Sequence, residues 1–308
     1  MFVKFAILYL LIGLGYIVQK RFPLPLERVS SILLMIVMPC FIVGKLGYSN
    51  LEISDLNKPV LVFFTAVVVC FGCYVLSPWI WREKGRENMK FLTSAAIPNA
   101  NTGYFGIPIA LVLFSSDLSA KYILTNFGIT VFQLSIGYYL YAKSQTTIWK
   151  SFVKLFTFPS LWAMVLGLSI NFFGWEFPDL VESGLQNLSK MMEYVFTVGG
   201  MMIIGMGLAS LKLDDINWRT VLGSNALCYL LWPLAALATI FVDAQALQWL
   251  TMDEAKILWL MAFCPIGANA VLYANNFDLY ARQATLMVFS STLVALPVLG
   301  LAAVTLLQ

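Results

Sequence analysis

The chain has 308 residues, 60% of them hydrophobic and 11% charged, with a net charge of +3. Soluble domains average roughly half apolar and a quarter charged residues, so this composition is that of an integral membrane protein. The basic residues lie at the ends of apolar runs rather than in a patch, which argues against a nucleic-acid partner, and the absence of histidine argues against an enzyme by removing the commonest general base and metal ligand.

At ~20 residues per crossing, the chain has room for about ten spanning helices. Segment 1 runs from Phe2 to Val18, reads as a retained helix rather than a cleaved leader, and closes on the basic, proline-rich turn Gln19–Pro25. Segment 2, Arg28 to Leu46, carries Pro39 and leads into an amphipathic connector, Ser49 to Lys58. Segment 3 spans Pro59 to Trp81, with Trp79 and Trp81 where an aromatic belt belongs. The charged loop Arg82–Lys90 precedes segment 4, Phe91 to Phe114. Segment 5, Ala120 to Ala142, carries Asn126 and Gln133, and a basic loop, Lys143–Lys150, follows.

Segment 6 covers Phe152 to Phe173. An acidic connector with Glu176, Asp179 and Glu182 precedes segment 7, Leu188 to Ala209, whose Gly199, Gly200, Gly205 and Gly207 read as a close-packing surface within or between subunits. Glu193 on segment 7 is expected to pair with Lys190. Segment 8 is Trp218 to Val242, with Asn225 and Pro233 inside it. Segment 9 is Glu254 to Ala274 and segment 10 Leu279 to Leu307. The five cysteines all fall in apolar runs. Cys70 and Cys73 have C-x-x-C spacing without a second pair, so they read as small buried residues, and no metal or cofactor is expected.

Segment 4 contains Pro98-Asn99-Ala100-Asn101-Thr102-Gly103-Tyr104-Phe105-Gly106-Ile107-Pro108. Proline removes backbone donors, and polar amides have no partners in lipid, so such a run is tolerated only against protein or a water-filled cavity. A repeat places a second break opposite it. Gly47 and Leu51-Glu52-Ile53-Ser54-Asp55-Leu56-Asn57 match Gly207 and Leu211-Lys212-Leu213-Asp214-Asp215-Ile216-Asn217 at one constant offset. Carried forward, the match sets segment 4 against segment 9, which holds Cys264-Pro265-Ile266-Gly267-Ala268-Asn269-Ala270. The expected fold is all-α, with two five-helix repeats, residues 1–150 and 151–308. If the turn between segments 1 and 2 is cytoplasmic, that side collects thirteen of the 19 basic residues, which predicts a multi-pass protein of the cell membrane with both termini outside the cytoplasm. Five helices per repeat then invert one half against the other.

A helix broken in the membrane presents unpaired N–H groups and a positive dipole end, an anion site without a buried cation. The candidate substrate-binding residues are Pro98, Asn101, Thr102 and Gly103 on segment 4, Pro265, Ala268 and Asn269 on segment 9, and Gln133 on segment 5. The ligand expected there is a small organic carboxylate. Intramembrane ionisable residues are too few to identify a coupling ion, so proton and sodium both stand open.

Asn101-Thr102-Gly103-Tyr104-Phe105-Gly106-Ile107-Pro108, Pro265 to Asn269, Tyr273-Ala274-Asn275-Asn276-Phe277-Asp278 and the five-plus-five plan resemble the auxin efflux carrier family, in particular its bacterial malonate- and malate-type members. The resemblance implies a scaffold of segments 1, 2, 6 and 7, a moving transport unit of segments 3–5 and 8–10, an elevator-type cycle, and a homodimer through segments 2 and 7. It also implies substrate contacts at Asn101 and Asn269. The long central loop of plant members is missing, since only residues 143–151 separate segments 5 and 6, and this favours a compact prokaryotic-type carrier. Two alternatives are a sodium-coupled carrier of the bile-acid-symporter architecture and a non-transporting ligand sensor on the same fold.

Overall fold

Backbone groups in hydrocarbon must be bonded within the protein, and a helix does this inside one segment. A computed structural model of the chain describes residues 2–82, 86–142, 153–209 and 216–305, and these residues are helical with no strand among them. The helices are α1 (Phe2–Arg21), α2 (Leu26–Gly47), α3 (Asn57–Ile80), α4 (Met89–Ala96), α5 (Ile107–Leu113), α6 (Ser116–Ala142), α7 (Pro159–Phe173), α8 (Asp179–Ala209), α9 (Trp218–Val242), α10 (Met252–Ala262), α11 (Asn269–Asn276) and α12 (Ala281–Thr305). Among the described residues, six helical stretches are long and apolar enough to cross a membrane: Leu26–Gly47, Ile53–Ile80, Ser116–Ala142, Asp179–Ala209, Trp218–Leu247 and Ala281–Ala302. This is the architecture of a helical, multi-pass membrane protein.

Three sequence expectations change. Asp179 and Glu182 do not form a connector, because they occupy the first turn of the 31-residue α8, where carboxylates meet the positive end of the helix. Glu193 pairs with Lys45 of α2 at 3.4 Å rather than with its helix neighbour Lys190. Segment 6 starts its α-helix at Pro159, in the first-turn position that costs proline no hydrogen bond, after an extended Phe158. The loop at 143–150, Phe152, the second repeat copy at Leu211–Asp215, and Lys84 and Lys212 of the charge count lie outside the described residues.

The chain divides into two compact units. The first comprises Met1–Leu56, Gly103–Leu124 and Phe156–Leu211. Its closest packing is α1 against α8, where a Cβ on Gly205 would stand 1.9 Å from the Ile12 carbonyl oxygen, and one on Gly15 would stand 2.1 Å from that of Met202. Gly199, Gly200 and Gly205 of α8 therefore sit in close internal packing, whereas a Cβ on Gly207 would meet nothing within 4 Å. Nearby, Tyr104 stacks on Phe196 at 5.9 Å and donates to the Ser30 carbonyl at 2.8 Å. Asp55, almost fully buried, pairs with Lys121 at 3.2 Å.

The second unit comprises Asn57–Thr102, Thr125–Leu155 and Lys212–Gln308. Two of its helix starts are capped by side chains: Asn217 accepts from Thr220 N at 3.0 Å to open α9, and Thr251 with Glu254 forms a capping box on α10. Glu254 also pairs with Lys58 at 3.1 Å, with side-chain exposures of only 6% and 3%, so α3 and α10 begin from one buried ion pair.

Candidate functional site

Both proline-bearing segments are interrupted, and in the second unit the interruptions lie against each other. Segment 4 is helical to Ala96, irregular over 97–101, then turns through a π-helical stretch, Thr102–Gly106, into α5. Segment 9 is helical to Ala262 and resumes at Asn269. Pro98 and Pro265 have no N–H to continue a helix, and they leave carbonyls behind them that need donors. Each break supplies the other. Asn101 N donates to the Pro265 carbonyl at 2.6 Å, and Gly267 N donates to the Asn99 carbonyl at 2.8 Å. These bonds bracket the antiparallel bridge between Ala100 and Ile266.

Two neighbouring helices complete the accounting. Trp232 of α9 donates its indole N–H to the Ile97 carbonyl at 2.9 Å. Ser291 of α12 accepts the Ile266 N–H at 3.0 Å, and its own carbonyl accepts the Tyr229 hydroxyl at 2.6 Å. Polar backbone that the breaks expose is thus held by named groups, as burial requires.

The candidate residues separate by depth. Pro98, Thr102 and Pro265 are buried, Asn101, Asn269, Gly103 and Gln133 half-buried, and Ala268 exposed. Residues 98–102 meet 265–267 at the bridge, with Ala268 and Asn269 directly following. Thr102 donates its hydroxyl to the buried Asn126 amide oxygen, which gives Asn126 a packing role. Gln133 is hydrogen-bonded to Tyr273, one turn beyond Asn269 on α11, and Tyr273 packs against Tyr138 and Tyr141 at 5.6 and 5.4 Å. Gly103 opens the stretch that belongs to the first unit, and a Cβ there would meet nothing within 4 Å.

The electrostatics are set by helix ends. No Lys or Arg occurs in 97–106 or 262–272. Positive potential there comes from the start of α11, whose preceding residue, Ala268, has no side chain able to cap it. The Ala270 and Val271 N–H groups at this start are bonded to the Gly267 and Ala268 carbonyls, so the donors suited to an anion here are the half-buried side-chain amides of Asn269 and Asn101, beside the positive end of the helix. Trp232 and Ser291 look in the sequence like ordinary residues of long helices, and Tyr273 and Asn99, though within the runs noted above, are not among the expected binding residues.

No protein-family model matches the chain. The chain is similar to an uncharacterized transporter of Methanocaldococcus jannaschii, at 23% identity over 307 residues covering 96% of this chain and 95% of that protein. It is also similar to an uncharacterized transporter of Methanothermobacter thermautotrophicus, at 29% identity over 171 residues covering 53% of this chain and 55% of that protein.

Proposed function

We propose that the protein is a membrane transporter, a secondary carrier that moves a small organic carboxylate across the cell membrane by alternating access. One observation carries the reading: two proline-broken segments exchange backbone hydrogen bonds across the Ala100–Ile266 bridge, and the adjoining residues carry two half-buried amides and a helix start without a side-chain cap, with no Lys or Arg in either break. Broken helices that face each other are the usual place for substrate in secondary transporters. The apolar spanning helices and the similarity to two archaeal proteins named as transporters support the same class.

The finer reading follows the resemblance to the auxin efflux carrier family. It takes ten spanning segments as two inverted repeats, a scaffold of segments 1, 2, 6 and 7, a moving unit of segments 3–5 and 8–10, and a homodimer through segments 2 and 7. The grouping of α1, α2, α7 and α8 in one compact unit and of α3, α4 and α9–α12 in the other is in keeping with an elevator-type cycle, while α5 and the start of α6, to Leu124, group with the first unit rather than with the rest of segments 3–5. The test is flux into proteoliposomes over a panel of mono- and dicarboxylates, with and without proton and sodium gradients. Carboxylate flux that falls at least about tenfold in Asn101→Ala and Asn269→Ala is expected, the loss of a hydrogen bond to a charged ligand. Absence of flux with every carboxylate, or full flux in both variants, overturns the proposal.

A further inference from the structure

Among the polar side chains at the crossing, Asn99 differs from the two half-buried asparagines. It is 3% exposed, and its amide nitrogen has no hydrogen-bond partner among the described residues. Its backbone carbonyl accepts from Gly267 N at 2.8 Å. The side-chain amide lies against the bare Cα of Gly267, where an added Cβ would stand 3.4 Å from Nδ2, 3.5 Å from Cγ and 2.8 Å from the Asn99 carbonyl oxygen. Two residues later α11 begins at Asn269 with its uncapped N-terminus.

An unbonded amide N–H in a buried place costs about 1–3 kcal/mol. Asn99 is more buried than half-buried Asn101 and Asn269 and exposed Ala268, the other candidate residues near the crossing. A donor kept there without a protein partner, beside a helix N-terminus and a position without a side chain, has the chemistry of an anion subsite.

We propose that the Asn99 side-chain amide is a specificity-determining donor to a carboxylate oxygen of the transported anion. This rests on the carboxylate-carrier reading and adds to it the most buried contact. Asn101 and Asn269 then meet the same anion from less buried positions. Asn99→Asp presents a carboxylate in place of the donor.

The experiment measures uptake of radiolabelled acetate, malonate, succinate and glutarate by proteoliposomes, with thermal unfolding of each purified variant alone and with 10-fold dilution series of the same acids. Asn99→Leu matches the size of the side chain and removes the unpaired donor. Its unfolding temperature without ligand is expected to equal or exceed that of the parent. Its KM for the acid moved by the parent is expected to rise about tenfold or more while the maximal rate changes less than about twofold. Asn99→Asp is expected to raise KM at least as much.

If the parent moves none of the acids, the carboxylate reading fails and this proposal with it. If the parent moves one and Asn99→Leu keeps its KM, the proposal alone is overturned. Two other results overturn it as well: a lower unfolding temperature of Asn99→Leu with unchanged KM, which marks a structural amide, and a changed sodium dependence with unchanged KM, which marks a cation ligand.

Discussion

Ser291→Ala tests whether the crossing is held by its neighbours. Ser291 is fully buried and its hydroxyl does two things: it accepts the Ile266 N–H at 3.0 Å and donates to the Val288 carbonyl at 3.0 Å. The second bond closes within α12 and its loss matters little, because Val288 O remains in a helix. The first has no local replacement, since Ile266 follows a proline in irregular backbone and is itself fully buried. Leaving that N–H without an acceptor costs about 1–3 kcal/mol. At roughly 2 °C per kcal/mol for a chain of this size, unfolding in detergent should shift down by about 2–6 °C. Hydrogen exchange over residues 262–270 should quicken, while α9 and α12 keep their protection. Ser291→Thr keeps a hydroxyl at the same place and is expected to restore most of the loss. Ser291→Ala within about 1 °C of the parent, with unchanged exchange over 262–270, would show that some other group satisfies Ile266 and would refute the hydrogen-bond accounting.

Substitutions at four further sites follow from the packing, a cap and the crossing. Gly205→Ala drives a methyl group into the Ile12 carbonyl, where the built Cβ stands at 1.9 Å, and should destabilise the first unit by about 1–3 kcal/mol in a thermal unfolding assay. Gly207→Ala, on the same helix with nothing within 4 Å, should be neutral or gain up to about 1 kcal/mol, so the pair separates packing from helix propensity. Asn217→Ala removes the acceptor for Thr220 N at the start of α9 and should cost about 1 kcal/mol, whereas Asn217→Asp should retain it. Trp232→Phe keeps the ring but deletes the donor to Ile97 O, and is expected to quicken hydrogen exchange near residues 93–101 without altering α10.

The helices are legible in the chain because apolar run length is a local property. Segment 8 is read as Trp218 to Val242 and α9 occupies those residues, with Asn217 announcing its start. The two interruptions are legible for the same reason, since a proline cannot donate whatever surrounds it. The misreadings arise where local polarity has more than one structural outcome. Asp179 and Glu182 are polar enough for a loop, yet they are also well placed in a first helical turn, and α8 extends over them. Glu193 has a cation three residues away in Lys190, but the partner it takes, Lys45, comes from a different helix.

Composition and proline placement thus settle a helical membrane protein with two broken segments, because hydropathy and the missing N–H act over a few residues. They do not say which groups satisfy the backbone that the breaks set free. The Ile97 carbonyl is answered by Trp232, 135 residues further along, and the Ile266 N–H by Ser291 on α12. Nor do they single out Asn99 from Asn101, two residues apart with the same side chain: one is buried against Gly267 without a partner for its amide nitrogen and the other is half-buried. Such assignments depend on which distant segments meet and on the direction each side chain takes when they do, and this is fixed by packing in three dimensions rather than by any local pattern along the chain.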